Sequence, residues 1–152
     1  MTLRWLLAAA HLLGLGIGLG AVWARARALS TRGLDLGAIR RAIVADAWWG
    51  VAALVWVSTG LVRLLAGTEK PTAYYLHSHA FWGKMALFVA ILVLEVRPIV
   101  TFGRWRALAR RGELPVTTPA SSLARISYIQ AVLVILMVLA ATAMARGLGS
   151  GQ

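Results

Sequence analysis

The chain has 152 residues, of which 60% are hydrophobic and only 14% are charged. Its mean hydropathy of +0.76 is too high for a soluble domain of this size, so a lipid bilayer is the expected solvent. A spanning helix needs about 20 mostly apolar residues, which leaves space for four such helices and for no separate soluble domain. The sequence therefore predicts an all-α membrane bundle that forms one domain over residues 1–152.

The chain contains no cysteine and has a formal net charge of +11. Without cysteine, disulfides, thiolate metal sites and cysteine nucleophiles are excluded. In a soluble protein so much positive charge would suggest a nucleic-acid partner. Here the arginines gather in two short connections beside apolar segments, so the charge is interpreted as a topology signal and no nucleic acid is expected as a partner.

Four apolar segments follow one another along the chain. They cover about Leu3 to Ala28, Ala42 to Ala66, Tyr74 to Phe102 and Leu123 to Ala145. A cleaved signal peptide is the alternative for the first segment, but its apolar run is longer than the about 7–15 residues of a signal-peptide core. The segments predict four antiparallel transmembrane helices, the last of them capped by Ser121 or Ser122.

The basic residues predict the orientation of the bundle. One side has Arg25, Arg27, Arg32, Arg40, Arg41, Arg104, Arg106, Arg110, Arg111 and Arg125, and the other only Arg4, Arg63, Lys70 and Arg146. Because basic connections stay in the cytoplasm, both termini are predicted to be periplasmic in a bacterial inner membrane. The lipid bilayer is then the first partner, and other membrane subunits or a second copy of the chain are further candidates.

The first helix places a histidine above a face of small residues. His11, Gly14, Gly18, Ala21 and Arg25 are spaced three or four apart and share one face. These glycines do not form a dinucleotide-binding fingerprint, which must follow a strand, and close helix packing is the preferred interpretation. For His11, a hydrogen bond within the bundle and a ligand role both stay open, because the same glycines would leave room for a flat porphyrin ring.

The third helix contains two histidines and a lysine. His77, Lys84 and Glu95 lie within about 20° of one another at ~100° per residue, whereas His79 and Arg97 share a different face. A lysine in line with a carboxylate is not expected to face lipid. His77 and His79 diverge on a helix and would bind a surface metal only if the helix began after them.

Depth connects the first and third helices. His11 and Lys84 are both expected about 12 Å below the periplasmic edge, at ~1.5 Å per residue. They are therefore predicted to line one cavity between these two helices, with His77 or His79 above it.

A second polar layer is predicted toward the cytoplasm. Asp46 opens helix two, Glu95 and Arg97 close helix three, and Arg25 closes helix one. Asp46 is expected to approach Arg25 or Arg97, because an unpaired carboxylate at this depth is costly. The layer is interpreted as a structural ion-pair cluster.

Across nearly its whole length the chain resembles an uncharacterised bacterial family of small four-helix membrane proteins. The similarity rests on His11, on Ala-Asp-Ala-Trp-Trp-Gly at 45–50, on Tyr-Tyr-Leu-His-Ser-His at 74–79 and on Leu94-Glu95. This resemblance implies the four-helix fold and brings no assigned activity.

More distantly, His11 and the stretch Phe-Trp-Gly-Lys-Met-Ala-Leu at 81–87 resemble the HemJ-type protoporphyrinogen oxidases and the related copper-resistance D proteins. Those proteins use a first-helix histidine and a later lysine. The resemblance implies a haem b cofactor, with His11 as the metal ligand and Lys84 as the second essential, catalytic residue. Where the HemJ-type family has a further histidine, this chain has Glu95.

Three functions therefore compete. The first is a haem-associated membrane redox protein, an oxidoreductase whose candidate cofactor-binding residues are His11, Lys84, His77 and His79. The second is a non-catalytic accessory or assembly subunit of a larger membrane complex, which would use the glycine face for contact. The third is a small proton-coupled carrier that uses the polar line of His11, Lys84 and Glu95.

Overall fold

A computed structural model describes residues 2–66 and 78–146 of the chain. These residues form the helices α1 (Thr2–Leu29), α2 (Leu36–Leu65), α3 (His79–Arg110) and α4 (Ala120–Ala145). All four described helices are long and apolar enough to cross a membrane. The predicted all-α bundle of transmembrane helices is confirmed, and the protein is a multi-pass integral membrane protein whose outer face contacts lipid.

The helices are longer than the apolar layer of a bilayer. They contain 26 to 32 residues, which corresponds to about 39 to 48 Å against a hydrocarbon core of ~30 Å. The connections 30–35 and 111–119 lie at the same end of the bundle, which we call the arginine-rich end. Helix ends therefore project into the polar interface, where these arginines meet water and lipid headgroups.

The helix α2 begins six residues before its predicted start at Ala42. Asp35 occupies the N-cap, and its carboxylate accepts a hydrogen bond of 2.6 Å from the Ala38 amide. This bond satisfies one of the amides that the first turn leaves without a partner. The polar residues before Ala42 are thus helical, because a cap and not hydrophobicity sets the boundary.

The helix α3 begins at His79, because the Ser78 hydroxyl accepts a hydrogen bond from the first turn. The predicted start at Tyr74 lies outside the described residues. At its other end α3 continues beyond the expected terminus to Arg110, and Gly112 then adopts a φ of +76°. This left-handed conformation after a helix end is one that glycine favours.

The helix α4 begins at Ala120, three residues before its predicted start. Pro119 precedes it with a φ of −78° and a ψ of −6°, and the proline ring holds φ near the helical value. Ser121 and Ser122 already lie inside the first turn, so the prediction that one of them caps the helix is wrong.

The helices pack in a ring in the order α1, α2, α3, α4. The helix α1 packs most closely on α2 and also on α4, whereas α3 packs on α4 and more loosely on α2. Over the described residues, α1 and α3 make no extended contact and lie on a diagonal. The expected direct approach of helices one and three is therefore wrong.

The glycine face of α1 turns to α2. A Cβ atom at Gly14 would lie 3.3 Å from the Trp56 amide nitrogen, and one at Gly18 would lie 3.4 Å from the Ala52 Cβ. The absence of side chains lets the α2 backbone approach closely. The helix-packing interpretation of these glycines is confirmed, and the space predicted for a flat ring on this face is filled by α2.

The interior consists of two apolar clusters with a polar layer between them. The cluster nearer the arginine-rich end contains Leu29, Ile39, Ala42, Phe102, Trp105, Ala120, Leu123 and Ala124. The second contains Ala21, Val22, Trp49, Ile91, Ala131, Val134 and Met137. Between these two sets in sequence lie Arg25, Asp46, Glu95, Ser127 and Gln130, so apolar packing lies on both sides of this layer.

Candidate functional site

The polar layer is centred on Arg25 of α1. This side chain is fully buried, at 0% exposure, although arginine is among the residues least often buried. Burial of a guanidinium requires hydrogen-bond acceptors for all of its five N–H groups.

Side chains from the other three helices accept all five of these hydrogen bonds. The Nε atom donates to the Ser127 hydroxyl on α4 at 2.9 Å. The Nη1 atom donates to Asp46 on α2 at 2.7 Å and to Glu95 on α3 at 3.0 Å. The Nη2 atom donates to Glu95 at 3.1 Å and to the Gln130 side-chain oxygen on α4 at 2.6 Å. One side chain therefore joins all four helices.

The acceptors are themselves supported. The second carboxylate oxygen of Asp46 accepts a hydrogen bond from Arg106 on α3. The Gln130 amide donates to Glu95 at 2.7 Å and to the Ile91 carbonyl at 3.3 Å. Two arginines face two carboxylates, so the formal charges of the cluster cancel and no net charge is left in the apolar interior.

Aromatic rings enclose the guanidinium. Its central carbon lies 6.0 Å from the centre of the Trp49 ring and 5.8 Å from that of Phe102. Both distances fall in the range of cation–π attraction. The two rings belong to the two different apolar clusters, so each cluster contributes one ring to the surroundings of the guanidinium.

This geometry confirms the ion-pair layer and the approach of Asp46 to Arg25. The second arginine was wrongly predicted, because Arg97 is exposed and Arg106 takes its place. Two residues of helix turn Arg97 about 200° away from Glu95, whereas eleven residues bring Arg106 back to within about 20° of it. Helical side chains also lean toward the N-terminus, which directs Arg106 back along α3 to Asp46.

The roles of Ser127 and Gln130 were not predicted from the sequence. The signal was present, because two polar residues three apart share one face of α4. The cluster is interpreted as a structural element and not as a reaction centre, since each N–H group of Arg25 is occupied and two aromatic rings lie near its guanidinium.

A second polar site lies toward the other end of the bundle, around His11. Its Nδ1 atom lies 3.1 Å from the Trp56 carbonyl oxygen and 3.0 Å from the Thr59 hydroxyl, both on α2. A carbonyl oxygen can only accept, so Nδ1 carries the proton and donates it. Gly60 makes room for the ring, because a Cβ atom there would lie 3.2 Å from the His11 Cε1 atom.

Trp56 is the centre of an aromatic line through this site. Its ring lies 5.7 Å from that of His11 and 5.6 Å, edge to face, from that of Phe88 on α3. Among the described residues, the Trp56 indole nitrogen is buried and has no hydrogen-bond acceptor. Buried indole N–H groups usually have an acceptor, so this donor is an exception that a ligand or a water molecule would explain.

The remaining candidate residues are only partly brought together. Lys84 is half-buried on α3, one turn before Phe88, so Trp56 stands between its helix and His11. His79 is exposed at the first position of α3, and His77 lies outside the described residues. Within residues 2–66 and 78–146, no group of three histidine or carboxylate side chains forms a metal site.

One known protein family matches nearly the whole chain. A family described as "Predicted membrane protein (DUF2214)" matches residues 3–149. The chain belongs to the DUF2214 family. No curated protein and no solved structure matches it.

The DUF2214 match spans both polar sites and all four described helices. It confirms the resemblance to a family of small membrane proteins without an assigned activity. The distant resemblance of this DUF2214 protein to HemJ-type oxidases stays a prediction.

Proposed function

We propose that this DUF2214 protein is a haem-binding redox protein of the bacterial inner membrane, with His11 as the iron ligand. The observation that carries the proposal is the anchoring of the His11 ring by the Trp56 carbonyl and the Thr59 hydroxyl. Intramembrane histidines are functional candidates by default, and this one is held in a single tautomer.

The hydrogen bonds prepare His11 for coordination. A neutral imidazole that donates from Nδ1 has its lone pair on Nε2, the usual metal-binding arrangement. A hydrogen-bond acceptor at Nδ1 fixes the orientation of the imidazole ring and raises the basicity of the imidazole as a ligand. The Thr59 hydroxyl donates its own proton to the Val55 carbonyl at 2.7 Å. Toward His11 it therefore acts as the acceptor of the hydrogen bond from Nδ1.

The buried indole of Trp56 supports the fit of a polar cofactor. The Trp56 ring lies beside that of His11, and its N–H lacks an acceptor among the described residues. A haem carboxylate or an ordered water would supply one. Lys84 is the candidate to pair a second carboxylate as an ammonium group or to complete the coordination as a neutral amine. Because α2 fills the glycine face of α1, the proposal does not rest on that face.

When bound, a haem would supply one-electron chemistry, whose potential depends on its ligands and on burial. The chain's own residues would anchor the ring through His11, donate a hydrogen bond from Trp56 and exclude water through the bundle. The Arg25 cluster is a separate site that holds the four helices in register.

The distribution of basic residues supports an orientation of the bundle in the membrane. We propose that the arginine-rich end faces the cytoplasm, which places both termini and the His11 site toward the periplasm. The site would then exchange electrons near the outer surface of the inner membrane.

An absorption spectrum tests the proposal. The purified protein, loaded with haem b in detergent, is expected to show a Soret band that His11→Ala abolishes. His79→Ala is the matched control, because His79 is exposed at the start of α3, and it should retain the band. A wild-type protein without a Soret band after loading refutes the proposal.

The two other hypotheses have less support from the packing. The glycine face that an accessory subunit would use for contact is occupied by α2. The polar line of a carrier would need Glu95, but both oxygens of that carboxylate are engaged by Arg25 and Gln130. At neither site does a specific observation favour a second function.

A further inference from the structure

A groove runs along the lipid-facing surface between α1 and α2. It encloses about 520 Å³ on the half of the bundle nearer the arginine-rich end. Its lining includes Ile17, Gly20 and Ala24 of α1 and Trp48 of α2, with Arg40 and Arg41 at one end. It is distinct from the His11 site and from the Arg25 cluster.

Small residues keep the groove open. A Cβ atom at Gly20 would meet nothing within 4 Å among the described atoms, and Ala24 one turn later is also exposed. The close approach of α1 and α2 occurs on a different face of α1, at Gly14 and Gly18. The depression is therefore a surface feature that α2 does not fill.

The dimensions of the groove match one leaflet of a bilayer. Arg40 and Trp48 are eight residues apart on α2, which is about 12 Å along the helix. Half of the hydrocarbon core is about 15 Å. The arginines stand at the end near the polar interface, and the apolar walls extend from there toward the middle of the membrane.

The two arginines have unused binding capacity. Both are exposed, and among the described residues neither takes part in an ion pair. Arg40 donates one long hydrogen bond, of 3.4 Å, to the Ala109 carbonyl. The same end of the bundle also has Arg27, Arg32, Arg104, Arg110, Arg111 and Arg125 but only Asp35 and Glu113 as exposed carboxylates. This excess of positive charge favours an anion at the end of the groove.

We propose that the groove binds one anionic phospholipid, with an acyl chain along its apolar walls and the phosphate at Arg40 and Arg41. A phosphate would form charge-assisted hydrogen bonds with both guanidinium groups. An apolar helix in the same place would instead cover two arginines without supplying an acceptor, which is costly in a low dielectric. Charge complementarity therefore selects a lipid over a protein segment as the occupant.

Native mass spectrometry of the delipidated protein, titrated with phosphatidylglycerol and with phosphatidylcholine, tests this proposal. One phosphatidylglycerol should remain bound in preference to phosphatidylcholine. The double variant Arg40→Gln/Arg41→Gln should weaken that binding about thirtyfold, from the loss of two arginines near the lipid phosphate. Gly20→Leu should weaken it about tenfold by filling the groove, while both arginines remain.

Two matched controls separate a site from general attraction. Gly16→Leu adds the same side chain where a Cβ atom also meets nothing within 4 Å of the described atoms, and it should bind lipid like the wild type. Arg110→Gln/Arg111→Gln removes the same charge elsewhere at this end and should also bind normally. The proposal would be overturned if Arg110→Gln/Arg111→Gln weakened lipid binding as much as Arg40→Gln/Arg41→Gln does. It would also be overturned if the protein retained both lipids equally, or if it formed a lipid-free dimer that Gly20→Leu dissociates.

Discussion

Glu95 accepts hydrogen bonds from both terminal nitrogens of Arg25, at 3.0 and 3.1 Å, across the diagonal of the bundle. The two helices that carry these residues otherwise make no extended contact over the described part of the chain. A two-point contact between a planar guanidinium and a carboxylate fixes orientation as well as distance. This pair therefore sets the register of α1 against α3, which apolar packing between them does not supply.

The first prediction concerns the removal of the central arginine. Arg25→Met should destabilise the bundle by roughly 3–5 kcal/mol, because it leaves Asp46 and Glu95 buried with fewer partners. Reversible unfolding in mixed micelles, followed by helical circular dichroism, measures the free energy.

Arg27→Met is the control, since Arg27 belongs to the same turn but is exposed. Its free energy of unfolding should change by less than about 0.5 kcal/mol. An Arg25→Met protein as stable as this control would show that the cluster does not hold the helices together.

The second prediction is an asymmetry within the ion pair of Asp46 and Arg106. The aspartate side chain is 7% exposed and that of Arg106 is 40% exposed. Asp46→Asn should cost about 3 kcal/mol, because Arg25 is buried and loses a charged acceptor. Arg106→Gln should cost less than about 1 kcal/mol, because the Arg106 end of the pair is partly exposed and is screened by water.

The same unfolding assay tests this asymmetry, with the double variant closing a mutant cycle. The coupling between the two positions should be smaller than the effect of Asp46→Asn alone. Equal losses in the two single variants would mean that Arg106 is as essential to the cluster as Asp46.

The third prediction concerns the contact between α1 and α2. A leucine at Gly14 would have its Cβ 3.3 Å from both the Trp56 amide nitrogen and the Val55 Cγ1 atom. Gly14→Leu should therefore separate the helices and cost about 1–3 kcal/mol by overpacking. Gly16→Leu, which projects into open space among the described atoms, should be close to neutral, and comparable losses in the two variants would contradict the packing assigned to Gly14.

The sequence was sufficient for the helices and for part of the polar layer. Hydropathy indicates the four spans, and the cost of a buried carboxylate predicts that Asp46 meets an arginine. It did not predict which helices are neighbours, because the face of Gly14 and Gly18 would suit α2 or α3 equally well. It also did not predict the partners Ser127 and Gln130, since their role depends on where the long side chain of Arg25 ends.

The fourth prediction is the orientation of the bundle. A reporter inserted after Gly112, in the arginine-rich connection, should report a cytoplasmic location, and one fused at Gln152 should report a periplasmic one. Alkaline phosphatase and green fluorescent protein fusions in cells distinguish the two. A cytoplasmic reading at Gln152 would reverse the orientation and with it the side on which we place His11.

The last prediction separates the anchoring of His11 from the fold around it. Thr59→Val removes the hydroxyl that accepts from Nδ1 at 3.0 Å, but it leaves the Trp56 carbonyl at 3.1 Å. Loss of one such partner behind a ligand typically weakens binding about 10- to 100-fold, so the haem-loaded variant should keep a Soret band, bind haem more weakly and have a shifted midpoint potential. Thr101→Val is the matched control. Like the Thr59 hydroxyl, the Thr101 hydroxyl donates a hydrogen bond, here of 3.0 Å, to the carbonyl four residues earlier, but Thr101 lies on α3, far from His11. Since both substitutions remove one such bond from a helix, an effect common to both would reflect helix stability, and only an effect specific to Thr59 supports coordination through His11.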